Sequence, residues 1–209
     1  MIFSDLKVLR PDGRFPTEMR RMLVQFGSND NKGYVLLSQG ATTIKTTISK
    51  IKEKKQLNVN LNFLQACRNE PLNERKVYEI KQKLNSIFAL LLPNENQIDI
   101  NVDILQDNGS LFSTIVNSIS LALCYCGINM IGMCVSLTFN NCVDLCHAEE
   151  NQSFSICVVT IPYKNEILYF ESFGKIQKGE LSKCLESSKD YCNYIYNYFK
   201  EELSAVAKD

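Results

Sequence analysis

Between Gln97 and Met130 the chain runs QIDINVDILQDNGSLFSTIVNSISLALCYCGINM, and no other stretch limits the fold so tightly. Ile98, Ile100, Val102 and Ile104 alternate with polar residues, the period of a half-buried strand. Asp107-Asn108-Gly109-Ser110 interrupts the alternation with residue types that make turns. From Leu111 the period becomes helical: Leu111, Ile115, Ile119 and Leu123 fall four apart, with Phe112, Val116 and Ala122 beside them. A strand, a tight turn and a long apolar helix belong at the centre of a core. The turn also presents backbone N–H groups at a helix start, a setting that suits an anion or a polymer phosphate. Its side chains decide whether it can use one.

The rest of the chain supplies the layers around this unit. Arg10, Arg14, Arg20 and Arg21 crowd the segment LRPDGRFPTEMRR, which reads either as a solvated loop or as a clamp on a neighbouring subunit. Four strands are expected at 19–27, 32–38, 42–51 and 57–64, an antiparallel meander with one polar face. A charged connection spans 50–55. A helix follows Asn73 and keeps its period through Leu91, bounded by Pro71 and Pro93. After Met130, strands are expected at 131–139, 142–147, 153–161 and 166–172, with Glu149 and Glu150 in a polar bend. The last helix runs from about Lys178 to Leu203 and buries Leu181, Cys184 or Leu185, Cys192, Ile195 and Phe199. The order predicts one α+β or α/β domain over 1–209, with helices on mixed sheets. The central strand–helix–strand reads as a right-handed crossover.

Composition excludes several classes. No apolar run approaches a membrane span, and the N-terminus lacks the apolar block of a secretory signal. Lysine plus arginine and aspartate plus glutamate both number 23, so any nucleic-acid contact must be local. Nine cysteines lie mostly inside apolar patterns and read as buried, reduced thiols. Cys142, Cys146 and His147, with Asp144 between them, come nearest to metal-ligand spacing, but no second pair completes a tetrahedron, and no metal or other cofactor is expected.

Nucleotide-binding glycine loops are absent, and His147 has no recognisable nucleophile motif. Asp99 and Asp103 share the polar face of a strand. Asp144, Glu149 and Glu150 could act as an acid or hold a metal only beside a phosphate site. Cations gather at Arg68, Arg75, Lys76, Lys81 and Lys83, and at Lys45, Lys50, Lys52, Lys54 and Lys55. Arg75 and Lys76 sit at a helix start, where the macrodipole disfavours them, so Glu74, Glu79 or a phosphate backbone must compensate.

The blocks LRPDGRFPTEMRRMLVQFG, GSNDNKGYVLLSQGATTIKT, NERKVYEIKQKLNSIF, QIDINVDILQDNGSLFSTIVNSISLALCYCGINM and VDLCHAEE fall in the order of the RNase PH family, which the chain resembles from Leu9 to Glu202. Within that family the likeness is to the ring subunits of the eukaryotic exosome. The resemblance implies an RNase PH-like βαβα fold, of the ribosomal protein S5 domain 2-like type, with a C-terminal helix. It implies partners: other RNase PH-like subunits in a hetero-hexameric ring, S1/KH cap subunits, a separate catalytic ribonuclease and single-stranded RNA, in the nucleus, nucleolus and cytoplasm. Active members degrade RNA from the 3′ end with inorganic phosphate.

Carried over residue by residue, the resemblance makes Asp107, Asn108, Gly109, Ser110 and Leu111 a degenerate phosphate site, with Leu111 where active members carry an arginine. Phe112 stands where a small hydroxyl is common. Phe154 falls at the lost catalytic aspartate, while Asp144 is a retained acid. Arg75 and Lys76, and more weakly Lys45, are the expected RNA contacts. The reading that follows is a non-catalytic ring subunit. Two others stay open: an active phosphorolytic nuclease completed by a partner, and an unrelated α+β interaction protein.

Overall fold

A computed structural model describes residues 9–29, 32–50, 57–64, 73–92, 98–150, 154–176 and 178–207. Its strands are β1 (Met22–Asn29), β2 (Lys32–Gln39), β3 (Thr42–Lys50), β4 (Asn58–Phe63), β5 (Ile98–Gln106), β6 (Val135–Phe139), β7 (Ser155–Ile161) and β8 (Glu166–Phe173). Its helices are α1 (Glu74–Leu91), α2 (Leu111–Tyr125), α3 (His147–Glu150) and α4 (Lys178–Val206). The fold is α+β, with a mixed five-stranded sheet in the order β1-β2-β3-β5-β4 and a three-stranded sheet in the order β6-β7-β8.

Helix α2 lies between the sheets. It packs on β2, β3 and β5 on one side and on β6 and β7 on the other. This explains its composition: a helix apolar all round has no face to give to water, and twelve of its fifteen residues, from Leu111 to Leu123, are buried. Several polar residues in it are satisfied in place. Asn117 donates through Nδ2 to the Ser136 carbonyl at 3.0 Å and accepts the Ser136 N–H at 2.7 Å, tying α2 to β6. Thr46 and Ser118 hydroxyls lie 2.7 Å apart across the α2–β3 contact. The stripe Cys184, Cys192, Ile195 and Phe199 of α4 is buried, and α4 packs on β6. Strands β6 and β7 are buried almost throughout, as strands covered on both faces must be.

Several expectations are corrected. The meander holds for β1, β2 and β3 only; β4 pairs parallel with β5, Asn58 opposite Asp99, and β3 pairs with β5 from the other side. A parallel neighbour needs a crossover, and α1 provides it between β4 and β5. The unit β5–α2–β6 is not a crossover within one sheet, because β5 and β6 belong to different sheets. No strand forms over 142–147; Val143 makes a single bridge to Phe139, and Glu149 and Glu150 belong to α3 rather than to a solvated bend. Strand β1 starts at Met22 rather than 19, and β6 at Val135 rather than 131. Asn73 caps α1, its side chain accepting the Arg75 N–H at 3.0 Å. Cys67, Arg68, Pro71, Pro93 and most of the charged connection at 50–55 lie outside the described residues.

Candidate functional site

The start of α2 is built by a turn that only certain residues can make. Asp107 Oδ1 accepts the Gly109 N–H at 3.2 Å. Gly109 has φ +92°, and a Cβ there would come within 2.4 Å of the Cys146 carbonyl carbon and the His147 nitrogen. Ser110 adopts the left-handed conformation at φ +51°, and its hydroxyl donates to the Leu145 carbonyl at 2.8 Å. Thr42 closes the other side: its Oγ1 accepts the Asn108 N–H at 3.0 Å and donates to the Gly109 carbonyl at 2.9 Å. The turn is therefore pressed against the loop that precedes α3.

That loop carries an anion of its own. Glu150 Oε1 accepts the Ser110 N–H at 2.6 Å, the backbone donor at the mouth of the helix. Burial pushes the Glu150 carboxyl above its ordinary value, with Asp107 adding to the shift and the Ser110 N–H, His147 and Arg20 opposing it. An internal carboxylate thus sits where a helix start would draw an outside phosphate.

Two buried ion pairs hold the loop in position. Arg20 grips Asp144, Nε to Oδ2 at 3.0 Å and Nη2 to Oδ1 at 2.6 Å, while the Arg20 N–H donates to Oδ2 and Gln39 to Oδ1. Arg10 grips Glu149, Nε to Oε1 at 2.7 Å and Nη2 to Oε2 at 2.5 Å, and also donates to the carbonyls of Val143 and Asp144. Burial pushes the Glu149 carboxyl up, but the hydrogen bonds from Arg10 and the Cys146 N–H prevail and hold it below its ordinary value. The arginine-rich segment is thus neither a solvated loop nor a clamp on a neighbour at these two positions; Arg10 and Arg20 are bound bidentately inside their own chain.

A cleft of about 560 Å³ opens in front of this helix start. Ser110, Leu111 and Phe112 of α2 form one wall, and Lys76, Glu79, Ile80 and Lys83 of α1 face them. Strand β8 contributes Glu171 and Phe173, and His147 and Glu150 close the α3 side. Lys83 pairs with Glu171 at 2.5 Å, and Glu171 also accepts the Tyr169 hydroxyl at 2.7 Å. Burial and Glu171 push the Tyr169 phenol up. The Phe112 and Tyr169 rings pack with centroids 5.7 Å apart.

The structure places the residues singled out in the sequence as follows. Lys76 lines the cleft. Arg75 is 84% exposed and bonded to Glu79 at 3.1 Å one turn on. Lys45 is not among the described cleft residues: it occupies the half-exposed face of β3, opposite the buried Ile44 and Thr46, in register with Asp103 and 4.8 Å from the Tyr34 ring centroid. Leu111 is buried and brings no donor to the cleft. Phe154 is buried in the core, and Ser155 and Cys157 of the strand it leads into line the cleft. Asp144 is fully buried, its two oxygens taken by Arg20 and Gln39. Asp107 and Asn108 serve the turn.

Sequence reasoning missed the pairing of Glu150 with Ser110, and the roles of Lys83, Glu171 and Phe173. Glu150 carried a signal, as half of an acidic pair near the retained Asp144, and Lys83 as one of the gathered cations; Glu171 and Phe173 carried none. The eight described cysteines are present as thiols, five of them buried. Among the described residues no group of three or more His, Cys, Asp or Glu is arranged around a metal position.

Comparison with known proteins supplies the remaining observation. The profile of the 3′ exoribonuclease family, domain 1 (RNase PH), matches residues 18–129. The Caenorhabditis briggsae protein named for exosome complex component RRP41 is 28% identical over 225 residues, 95% of this chain and 91% of its own. The Pyrobaculum calidifontis exosome complex component Rrp41 is 29% identical, over 93% of this chain and 89% of its own. The Saccharomyces cerevisiae exosome complex component SKI6 is 29% identical over 58% of each chain. The crystal structure of rice (Oryza sativa) Rrp46 superimposes with a TM-score of 0.80 at 16% identity, over 93% of this chain and 100% of that one, a likeness of fold.

Proposed function

The chain belongs to the RNase PH family of 3′ exoribonucleases, and we propose that within it this protein is a non-catalytic ring subunit of an RNA exosome, of the RRP41/SKI6 type. The single observation that carries this reading is the start of α2. Its Ser110 N–H is held by the Glu150 carboxylate, its first residue is the buried Leu111, and Ser155 rather than an acid faces the cleft from the β7 segment. Phosphorolysis needs an anion at that helix start and charged groups around it. Here an anion of the protein already meets the Ser110 donor, and no guanidinium points in from Leu111.

In this reading the chain supplies packing, ring geometry and a stretch of RNA-channel wall, as one domain over 1–209. The partners are other RNase PH-like subunits in a hetero-hexameric ring, S1/KH cap subunits and a separate catalytic ribonuclease, in the nucleus, nucleolus and cytoplasm. Arg75 and Lys76 are its single-stranded RNA contacts, with Lys45 a third, weaker one. Family membership removes the alternative of an unrelated α+β interaction protein.

The test is direct. The purified chain, alone and reconstituted with its ring partners, is incubated with labelled single-stranded RNA and inorganic phosphate. The expected result is no phosphate-dependent release of nucleoside diphosphates. Their release from the reconstituted pair would establish the competing reading, an active nuclease whose site a partner completes.

A further inference from the structure

We propose that the cleft in front of α2 receives a cationic side chain, an arginine, from an extended segment of a partner protein laid along β8. The inference rests on the reading that the helix start is closed to phosphate.

The charges in the cleft are unevenly paired: Arg75, outside the lining, engages Glu79, which leaves Lys76 and Glu150 outside the lysine and arginine pairs among the described residues. The described lining holds three carboxylates, Glu79, Glu150 and Glu171, against two lysines, Lys76 and Lys83. Glu79 is engaged by Arg75, and Glu171 by Lys83 and the Tyr169 hydroxyl. Glu150 has no such cover. One of its oxygens meets the Ser110 N–H, and the other lies 3.8 Å from His147 Nδ1. Among the described residues no lysine or arginine pairs with it, and burial lifts its carboxyl above the ordinary range. A phosphate brought here would meet Glu150 and Glu171 as like charges. A guanidinium would meet the open oxygen of Glu150 with planar donors, and it gives up hydration more readily than an ammonium.

The walls suit the rest of such a side chain. Ile80, Leu111 and Phe112 offer apolar surface to its aliphatic stem. Phe173 stands at the end of β8, 57% exposed, and its ring already serves a cation, with Lys83 Nζ 5.9 Å from its centroid.

Strand β8 adds the second, independent observation. It is an edge of the three-stranded sheet, paired only with β7 among the described strands. An edge strand carries a row of unpaired backbone groups, and proteins normally guard such edges with charges or cover. This one carries Glu166 and Glu171 but also exposes Ile167, Phe170 and Phe173. An extended segment added along it gains backbone hydrogen bonds and apolar contacts, and Glu171 and Phe173 place the far end of that segment at the cleft.

The experiment uses the full chain, isotope-labelled, and follows the Ser110 amide resonance by NMR. The probes are N-acetyl-arginine methylamide, its uncharged citrulline analogue, inorganic phosphate and oligo(U). The arginine amide is expected to move the resonance saturably. The citrulline analogue is expected to bind at least tenfold more weakly, and Glu150→Gln to abolish the arginine response while the spectrum stays folded. Phe173→Ser, at the exposed rim, is expected to weaken the response severalfold and carries the test if Glu150→Gln fails to fold. Equal responses to arginine and citrulline, or an undiminished response in both variants, would overturn the proposal. Silence towards arginine and phosphate alike overturns it and leaves the closed-site reading standing, whereas a saturable response to phosphate or oligo(U) overturns both.

Discussion

A Cβ at position 109 has nowhere to go. It would strike backbone of the α3 loop at 2.4 Å, and the φ of +92° is one that side-chain-bearing residues avoid. Gly109→Ala is expected to cost at least about 1–3 kcal/mol, read as a fall in the urea midpoint, and to shift the Ser110 amide because the turn must move. Arg10 and Glu149 give a prediction with a pH signature. The folded Glu149 carboxyl titrates below its ordinary 4.5, so its contribution is present above that value and is lost as pH falls through the folded value. Glu149→Gln leaves a buried Arg10 without its counter-charge and is expected to cost about 3–5 kcal/mol at pH 7. The difference from wild type should shrink in acid, where wild type also loses the pair, and a gap unchanged from pH 7 to pH 3 would refute it. Glu150 has the opposite sign: its raised carboxyl is a cost at neutral pH that is relieved as pH falls through its folded value. At this scale the glycine was legible as a turn residue. The arginine partners were not, because Arg10 and Glu149 lie 139 positions apart and no local pattern links them.

The most readable element was α2. An apolar helix after an alternating strand has to be central, and it is, with β2, β3 and β5 on one side and β6 and β7 on the other. What could not be read was how the strands divide. Strand β4 alternates like an antiparallel neighbour, yet it pairs parallel with β5, since alternation reports which face is buried and says nothing of strand direction. Segment 142–147 had the apolar content of a strand, yet Asp144 turns it at φ +58° to meet Arg20. The same helix supplies a test of how the two sheets are joined. Asn117 serves both backbone groups of Ser136 from inside the core. Asn117→Ala strands a buried N–H and a buried carbonyl, and is expected to cost about 2–4 kcal/mol. Hydrogen exchange should accelerate in β6 and in α2 before it does in β1 or β2. A uniform change across both sheets would show that Asn117 is not a joint between them.

For the whole molecule, equal numbers of acidic and basic residues mean that RNA affinity cannot come from a general field. On the proposed ring-subunit reading it would come from a few cations placed where a strand passes. Arg75 and Lys76 meet that requirement better than Lys45. They share the exposed start of α1, whereas Lys45 lies across the sheet over Tyr34, with Asp103 as its register partner. The Arg75–Glu79 pair is no obstacle, because an exposed i,i+4 pair contributes only about 0.3–0.5 kcal/mol and yields readily to a phosphate. In the assembled ring, Arg75→Ala with Lys76→Ala should therefore lower RNA crosslinking to this chain. It should also reduce the slope of log affinity against log salt by up to about 1.4, two phosphate contacts at roughly 0.7 each for a single strand. Lys45→Ala should change the slope less than the α1 pair does. A slope unaltered by the double substitution would take the start of α1 out of the RNA path and leave the chain a purely architectural part of its ring.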